Sequence, residues 1–305
     1  MLRFLLARLG QAVLVCLAVS VITFALVHWT GDLAVSIGGM DASAEDVARL
    51  RDAYGLDRPV LAQYVDWAWR ALHGDFGVSF FSREDVLTLI LSRLPVTVVL
   101  AFVSLGLALL VAVPLGVYAA TRPAALVDRL ALSVAVLGQA MPAYWSALLL
   151  VLLFGVRLQW LPISGTEGWQ SFVLPAVAMA WYLMPVLMRL TRAGMIDVLQ
   201  ADYVRTARAK GLSPRVVLFK HALRNAVMPV VAVATVQLGF LLGGSIVVES
   251  VFALNGVGLL AWNAIQRSDF PVVQALVLVI ALVFVMLNFL AQCLDALIDP
   301  RARAA

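Results

Sequence analysis

Six stretches of this chain are apolar and long enough to cross about 30 Å of hydrocarbon: Leu9–Val27, Pro95–Ala120, Leu130–Phe154, Phe172–Leu190, Pro229–Val248 and Pro271–Leu294. A soluble domain could not hide them, because 63% of the residues are hydrophobic and only 13% are charged, and folding in water would leave large apolar patches exposed. In lipid every backbone polar group must be satisfied within the protein, which leaves helices or closed barrels, and stretches of this length select helices. The sequence therefore predicts an all-α polytopic membrane protein with six transmembrane helices. The first stretch is too long for the apolar core of a signal peptide, and no small-x-small cleavage site clearly follows it.

Charge sets the orientation. Segments Met1–Arg8, Thr121–Arg129, Arg189–Met228 and Asp295–Ala305 hold 14 of the 22 basic residues and five of the 18 acids, leaving eight basic and 13 acidic residues on the other side. Lys and Arg accumulate on the cytoplasmic face, so both termini are expected in the cytoplasm. The formal net charge of +4 then reports topology; no aromatic-interleaved basic patch points to nucleic acid. The expected organisation is an N-terminal tail and first span (1–29), an extracytoplasmic helical subdomain (30–94), a core of five spans (95–294) containing the inner loop 189–228, and a cytoplasmic tail (295–305).

In the outer segment, Ser43-Ala-Glu-Asp46 reads as a capped helix start with acids in its first turn, and Gly55 can close that helix. A second helix is expected from near Pro59 to Gly74, and Val86, Leu87, Ile90, Leu91 and Leu94 form a third apolar stripe leading into span two. The subdomain is either a cap packed on the spans or a docking surface for an external partner.

In the inner segment, Ile196, Leu199, Tyr203 and Ala207 fall at helical spacing as one narrow apolar stripe, with Arg205 and Arg208 off it. Gly211 suits a helix end, and Ser213-Pro214 suits an N-cap with a first-turn proline opening a second helix. A positive loop on anionic lipid would explain the charge; a protein-docking element would also explain the punctuation.

Several chemistries lack their parts. The only lysines, Lys210 and Lys220, are followed by Gly211 and His221, so no phosphate-binding loop of the Gly-Lys-Ser/Thr kind exists, and any ATP and Mg must be bound by other chains. There is no Gly-x-Ser-x-Gly elbow and no His-Glu-x-x-His helix. The histidines His28, His73 and His221 are far apart, and Cys16 and Cys293 read as apolar fillers, so neither a metal site nor a cofactor is expected. Glu249 reads as an outer rim residue. Gln139, Gln237 and Asn288 are in-span polar residues that either line a pathway or join helices.

The run Asp202-Tyr-Val-Arg-Thr-Ala-Arg-Ala-Lys-Gly-Leu-Ser-Pro214, continuing to His221-Ala-Leu-Arg-Asn-Ala-Val-Met-Pro229, resembles the signature of binding-protein-dependent ABC importer permeases, and more narrowly the first permease of the dipeptide/oligopeptide/nickel branch. Gly74-Asp-Phe-Gly77 with Ser79, Trp160-Leu-Pro-Ile-Ser-Gly165, Gly243-Gly-Ser-Ile-Val-Val-Glu-Ser-Val-Phe252, Gly256-Val-Gly258, Asp269-Phe-Pro-Val-Val273 and Asp299-Pro-Arg301 match in order. Where the family's loop reads Glu-Ala-Ala-x-x-x-Gly, this chain has Arg205, Thr206 and Ala207 with Gly211, so the glutamate is absent.

The resemblance implies a second permease subunit around a central pathway, two ATPase subunits below and an extracytoplasmic binding protein that delivers substrate. It implies that Tyr203, Arg205, Thr206, Ala207, Lys210 and Gly211 contact an ATPase subunit, whose closure would tilt spans three to five. Pro142 and Pro185 either soften those spans or kink them statically. Small peptides lead as substrate, with nickel, glutathione and small glycans as alternatives. A nucleotide-independent carrier and a non-transporting receptor are the other classes.

Overall fold

The computed structural model describes residues 2–30, 33–38 and 42–298. The Asp299-Pro-Arg301 motif and the side chains of Arg3, Arg8 and Cys293 lie outside the described residues. Every regular element among those described is helical, apart from one isolated antiparallel bridge between Val78 and Asp85. In order the helices are α1 (Leu2–Thr30), α2 (Leu33–Gly38), α3 (Ala44–Tyr54), α4 (Val60–Leu72), α5 (Val86–Thr121), α6 (Leu126–Ala140), α7 (Ala143–Leu150), α8 (Val173–Leu199), α9 (Asp202–Ala209), α10 (Pro214–Val216), α11 (Leu223–Ala226), α12 (Met228–Gly244), α13 (Ile246–Val251), α14 (Val257–Gln266) and α15 (Phe270–Ile298). Helices α1, α5, α8 and α15 each contain a run that could cross a membrane alone. Counting each of the bent pairs Asp128–Ala140 with Ala143–Arg157 and Pro214–Ala226 with Met228–Gly243 as one span, the described residues hold four to six candidate spans.

The third span is therefore not the single rod expected over Leu130–Phe154. The chain turns by 101° between α6 and α7. Met141 is extended and Pro142 precedes α7, as a residue before proline disfavours the α region and proline cannot donate into the preceding turn. Pro142 ends a helix instead of softening one, whereas Pro185 lies inside α8. The stripe Val86–Leu94 belongs to α5 itself. Asp85 opens that helix by accepting from Thr88 N and Thr88 Oγ1, both at 2.8 Å, and these donors hold its carboxyl below the usual carboxylate range.

The chain divides into two compact units: one up to Thr97 together with Asn255–Met286, the other Val98–Leu254 with the chain from Leu287. In the first, Ser43 Oγ accepts from Asp46 N at 3.2 Å and Gly55 closes α3 at φ +62, as the cap signals predict. Val86, Leu89 and Ile90 pack against Val257, Ala264, Val272, Ala275 and Leu276. Beside this core, Asp269 accepts from Ser79 Oγ at 2.5 Å and from Phe80 N at 3.1 Å, and Arg267 stacks over Phe81 at 3.6 Å. Thr97 Oγ1 accepts from Val257 N at 2.8 Å. Motifs far apart in sequence are thus joined in space.

In the second unit α8 is central. It contacts α6, α7, α11, α12 and α13, and 67% of its span is buried, against 22% for α1 and α15. Gly116 lets α5 approach it: a Cβ there would lie 2.7 Å from Met188 O and from Thr191 Cβ.

Candidate functional site: the basic helix–turn–helix and the in-span cavity

Helix α8 stops at Leu199, where Gln200 N and Ala201 N turn back to Asp197 O and Val198 O. Helix α9 then starts afresh at Asp202. The stripe expected to run unbroken from Ile196 to Ala207 is divided between two helices, and the interruption changes its phase. Val204 and Ala207 are the buried residues of α9; they pack with Val217 onto Val198 and Leu199. Tyr203 is instead exposed, and Asn225 Nδ2 donates to its hydroxyl at 2.8 Å.

Gly211 has φ +74, and its N–H donates to Arg208 O at 3.0 Å. That left-handed conformation suits glycine. A Cβ at Gly211 would meet nothing within 4 Å, so the turn is tight but open to its surroundings. Ser213 sits at the cap position and Pro214 opens α10, yet the Ser213 hydroxyl makes no capping bond. The chain continues through a π-helical stretch, Val217–Ala222, into α11. Ala222 and Ala226 pack with Met195, Val117 and Ala120. A Cβ at Gly194 would lie 2.8 Å from Ala226 O, so α8 and α11 are in near backbone contact. Small residues seat the element; Tyr203, Arg205, Thr206, Lys210 and Gly211 share its exposed side. Ala207 is the exception among the six residues implied for docking, because it is buried beneath that side.

A buried ion pair missed at the sequence level lies beside this element. Arg192 Nε and Nη2 donate to Asp128 Oδ1 and Oδ2 at 2.6 and 2.8 Å, and Ala124 N donates to Oδ2 at 2.8 Å. In the sequence alone both charges bear only on topology. Their two-pronged geometry ties the first turn of α6 to α8, ten residues ahead of Asp202. A fork of this kind fixes direction as well as distance.

The three in-span polar candidates separate. Gln237 lines a cavity of about 420 Å³ together with Tyr182, Ser245, Met179, Phe240 and Val248. Gln139 does not: its Oε1 accepts from Arg189 Nη1 at 2.6 Å, and both residues are exposed. Asn288 is not among the lining residues either. Glu249, read from the sequence as an outer rim residue, is fully buried, accepting from Ser245 Oγ at 2.7 Å. The chain breaks at Ser245 between α12 and α13, and the Ser245 hydroxyl is spent on that carboxylate, not on a backbone cap. Gly165 N donates to Phe252 O at 3.2 Å, joining two more of the distant motifs.

The sequence is matched by known proteins. The family model "Binding-protein-dependent transport system inner membrane component" matches residues 112–304, and "Binding-prot-dependent transport system membrane comp, N-term" matches residues 1–101. The chain belongs to this family. It is an ABC importer permease subunit of the bacterial inner membrane, a transport component without catalytic activity of its own, and it works with ATPase and binding-protein partners. This permease is 40% identical over 304 residues to the glutathione transport system permease protein GsiC of Escherichia coli (strain K12), covering 99% of each chain. It is 41% identical, with the same coverage, to the GsiC of Salmonella typhimurium (strain LT2). Among solved structures it resembles the MetNI methionine ABC transporter in an inward-facing conformation, with a TM-score of 0.53 and 21% identity over 72% of this chain and 96% of that one. That likeness bears on the fold alone.

Proposed function

We propose that this permease carries small peptides of the glutathione class into the cytoplasm, paired with a second permease, two ATPase subunits that bind ATP and Mg, and an extracytoplasmic binding protein. The observation that carries the substrate class is the end-to-end 40% identity with a glutathione permease. The cavity is compatible with it. Tyr182, Gln237 and Ser245 offer neutral hydrogen-bonding groups among apolar ones, and no lining residue is charged. Such a lining suits the amides of a peptide better than a bare metal cation.

In this reading both termini face the cytoplasm, and the exposed side of α9 with the Gly211 turn receives the ATPase. Its motion passes through Val204, Ala207 and the Gly194 contact into α8, whose far half lines the cavity through Met179 and Tyr182. The test is uptake of labelled glutathione and of a labelled dipeptide in cells lacking this gene, complemented with wild type or Gln237→Ala. Uptake should vanish in the deletion, return with wild type, and fall several-fold with Gln237→Ala while the complex still assembles. Undiminished uptake of both compounds in the deletion would overturn the substrate assignment.

A further inference from the structure

Helix α4 has three faces, and only two of them are covered by the described residues of the protein. The first packs on α1. Tyr64 Oη and Ser20 Oγ are 2.9 Å apart, Phe24 meets the rings of Tyr64 and Trp67 at 5.4 and 5.8 Å, and His28 Nε2 lies 3.0 Å from Gln63 Oε1. The second is polar: Gln63, Asp66 and Arg70 line a cavity of about 790 Å³, where Arg58 donates to Asp66 at 2.6 Å. The third consists of Leu61, Val65, Trp69 and Leu72, which are 74%, 55%, 65% and 80% exposed, Trp69 standing at its edge where it also borders the cavity. Their spacing puts them on one side of a helix.

The geometry points to the acyl chains of the bilayer as what covers that third face, so that α4 is embedded in the lipid and not a cap standing in water. The depth argument comes from α1. Its contacts with α4 run from Ser20 to His28, inside the apolar run Leu9–Trp29. Ser20 is nine residues from Trp29, which is about 13 Å of helix rise. A helix touching a span at that level cannot turn its free side to bulk water. The free side is also continuous in character with α1, which exposes Leu14, Leu17, Val21 and Ile22. A water-facing helix would carry polar residues there. Here the polar residues are confined to the cavity side, the pattern of a helix lying along a membrane boundary. Trp69 supplies an amphipathic ring of the kind found at such boundaries.

The experiment uses the assembled importer in liposomes. Nitroxide labels are placed at Leu61→Cys, Val65→Cys and Leu72→Cys, with Asp66→Cys as the cavity-side control, each in a Cys16→Ala, Cys293→Ala chain. Relaxation by oxygen, which partitions into lipid, is compared with relaxation by a water-soluble nickel chelate. Oxygen should dominate several-fold at the three apolar sites and the chelate should dominate at Asp66. Chelate access at the apolar sites equal to that at Asp66 would overturn the proposal in favour of water. Exclusion of both relaxants would overturn it in favour of a protein partner such as the second permease. A measurement without labels keeps the test independent of the cysteine background. The difference in fluorescence between the wild-type chain and Trp69→Phe should be quenched by lipids brominated along their acyl chains, and no quenching of that difference would contradict the embedding.

Discussion

Asp128 and Asp269 are both almost fully buried, yet they are satisfied in opposite ways. Asp269 accepts from neutral donors, the Ser79 hydroxyl and the Phe80 N–H, and joins segments 190 residues apart in the first unit. Asp128 is gripped by a guanidinium, Arg192, that keeps 23% of its side chain exposed. The first arrangement holds a loop in one geometry. The second sets a charge pair near the end of the helix that leads into the basic helix–turn–helix, where its strength depends on a partner that water can still reach. One permease therefore uses a neutral lock for a fixed joint and an ionic one next to the part expected to move.

The difference can be broken most severely from the ionic side. Arg192→Ala strands the Asp128 carboxylate, and removing one partner of a buried pair costs about 3–5 kcal/mol. The lower end is expected here, because the guanidinium is partly open to water. The thermal unfolding midpoint of the purified importer should fall sharply. The pair Asp128→Asn with Arg192→Met should recover most of that loss, since it removes both charges and leaves an acceptor for Ala124 N. A double variant as unstable as Arg192→Ala would show that the pair is not what holds this corner.

Asp269→Ala should cost less, about 1–3 kcal/mol, chiefly by orphaning the buried Ser79 hydroxyl. Asp269→Asn keeps one acceptor and should be milder still, in the same unfolding measurement. If Asp269→Asn proved as damaging as the alanine, the charge itself would matter and the contrast with Asp128 would dissolve.

The smallest effect belongs to Asp85, an exposed carboxylate whose folded pKa is depressed, first by the Thr88 N–H and then by the Thr88 hydroxyl. Such a group stabilises the fold above its unfolded pKa and loses that contribution as pH falls through the folded value. The midpoint difference between wild type and Asp85→Ala should be present at pH 7 and shrink below about pH 4. A difference that grew on acidification would contradict the cap.

What the sequence disclosed follows from the range of the interactions involved. Ser43, Gly55 and Gly211 were legible because caps and left-handed turns are set by residues within a few positions of one another. The phase of Tyr203 was not, because the break at Gln200 and Ala201 carries neither glycine nor proline. The bend at Met141-Pro142 did carry its proline, but a proline within an apolar run signals a kink or an end equally well. The stop of α12 before Ser245 likewise carried its signal, Gly243-Gly244, but glycines inside an apolar run also read as close helix packing within one span. The pairings Ser79 with Asp269, Asp128 with Arg192 and Gly165 with Phe252 join residues 64 to 190 positions apart, and no local pattern encodes them. Of the pathway candidates, Gln237 reaches a cavity and Gln139 is taken by Arg189; both looked alike as amides in apolar runs.

The central claim is that the exposed side of α9 and the Gly211 turn receive the ATPase. Gly211→Asp tests it directly, because a Cβ there would meet nothing within 4 Å, and aspartate is among the residues that tolerate φ above zero best. The permease itself should stay folded in the membrane, so any defect is felt at the docking partner. Pull-down of the ATPase subunits on tagged permease, with glutathione uptake in the same cells, should show association weakened at least tenfold and uptake abolished. Arg205→Glu should weaken association less, since an exposed charge contact is usually worth under about 1 kcal/mol. Wild-type association together with wild-type uptake in Gly211→Asp would contradict the account and leave the charge of this segment to topology alone.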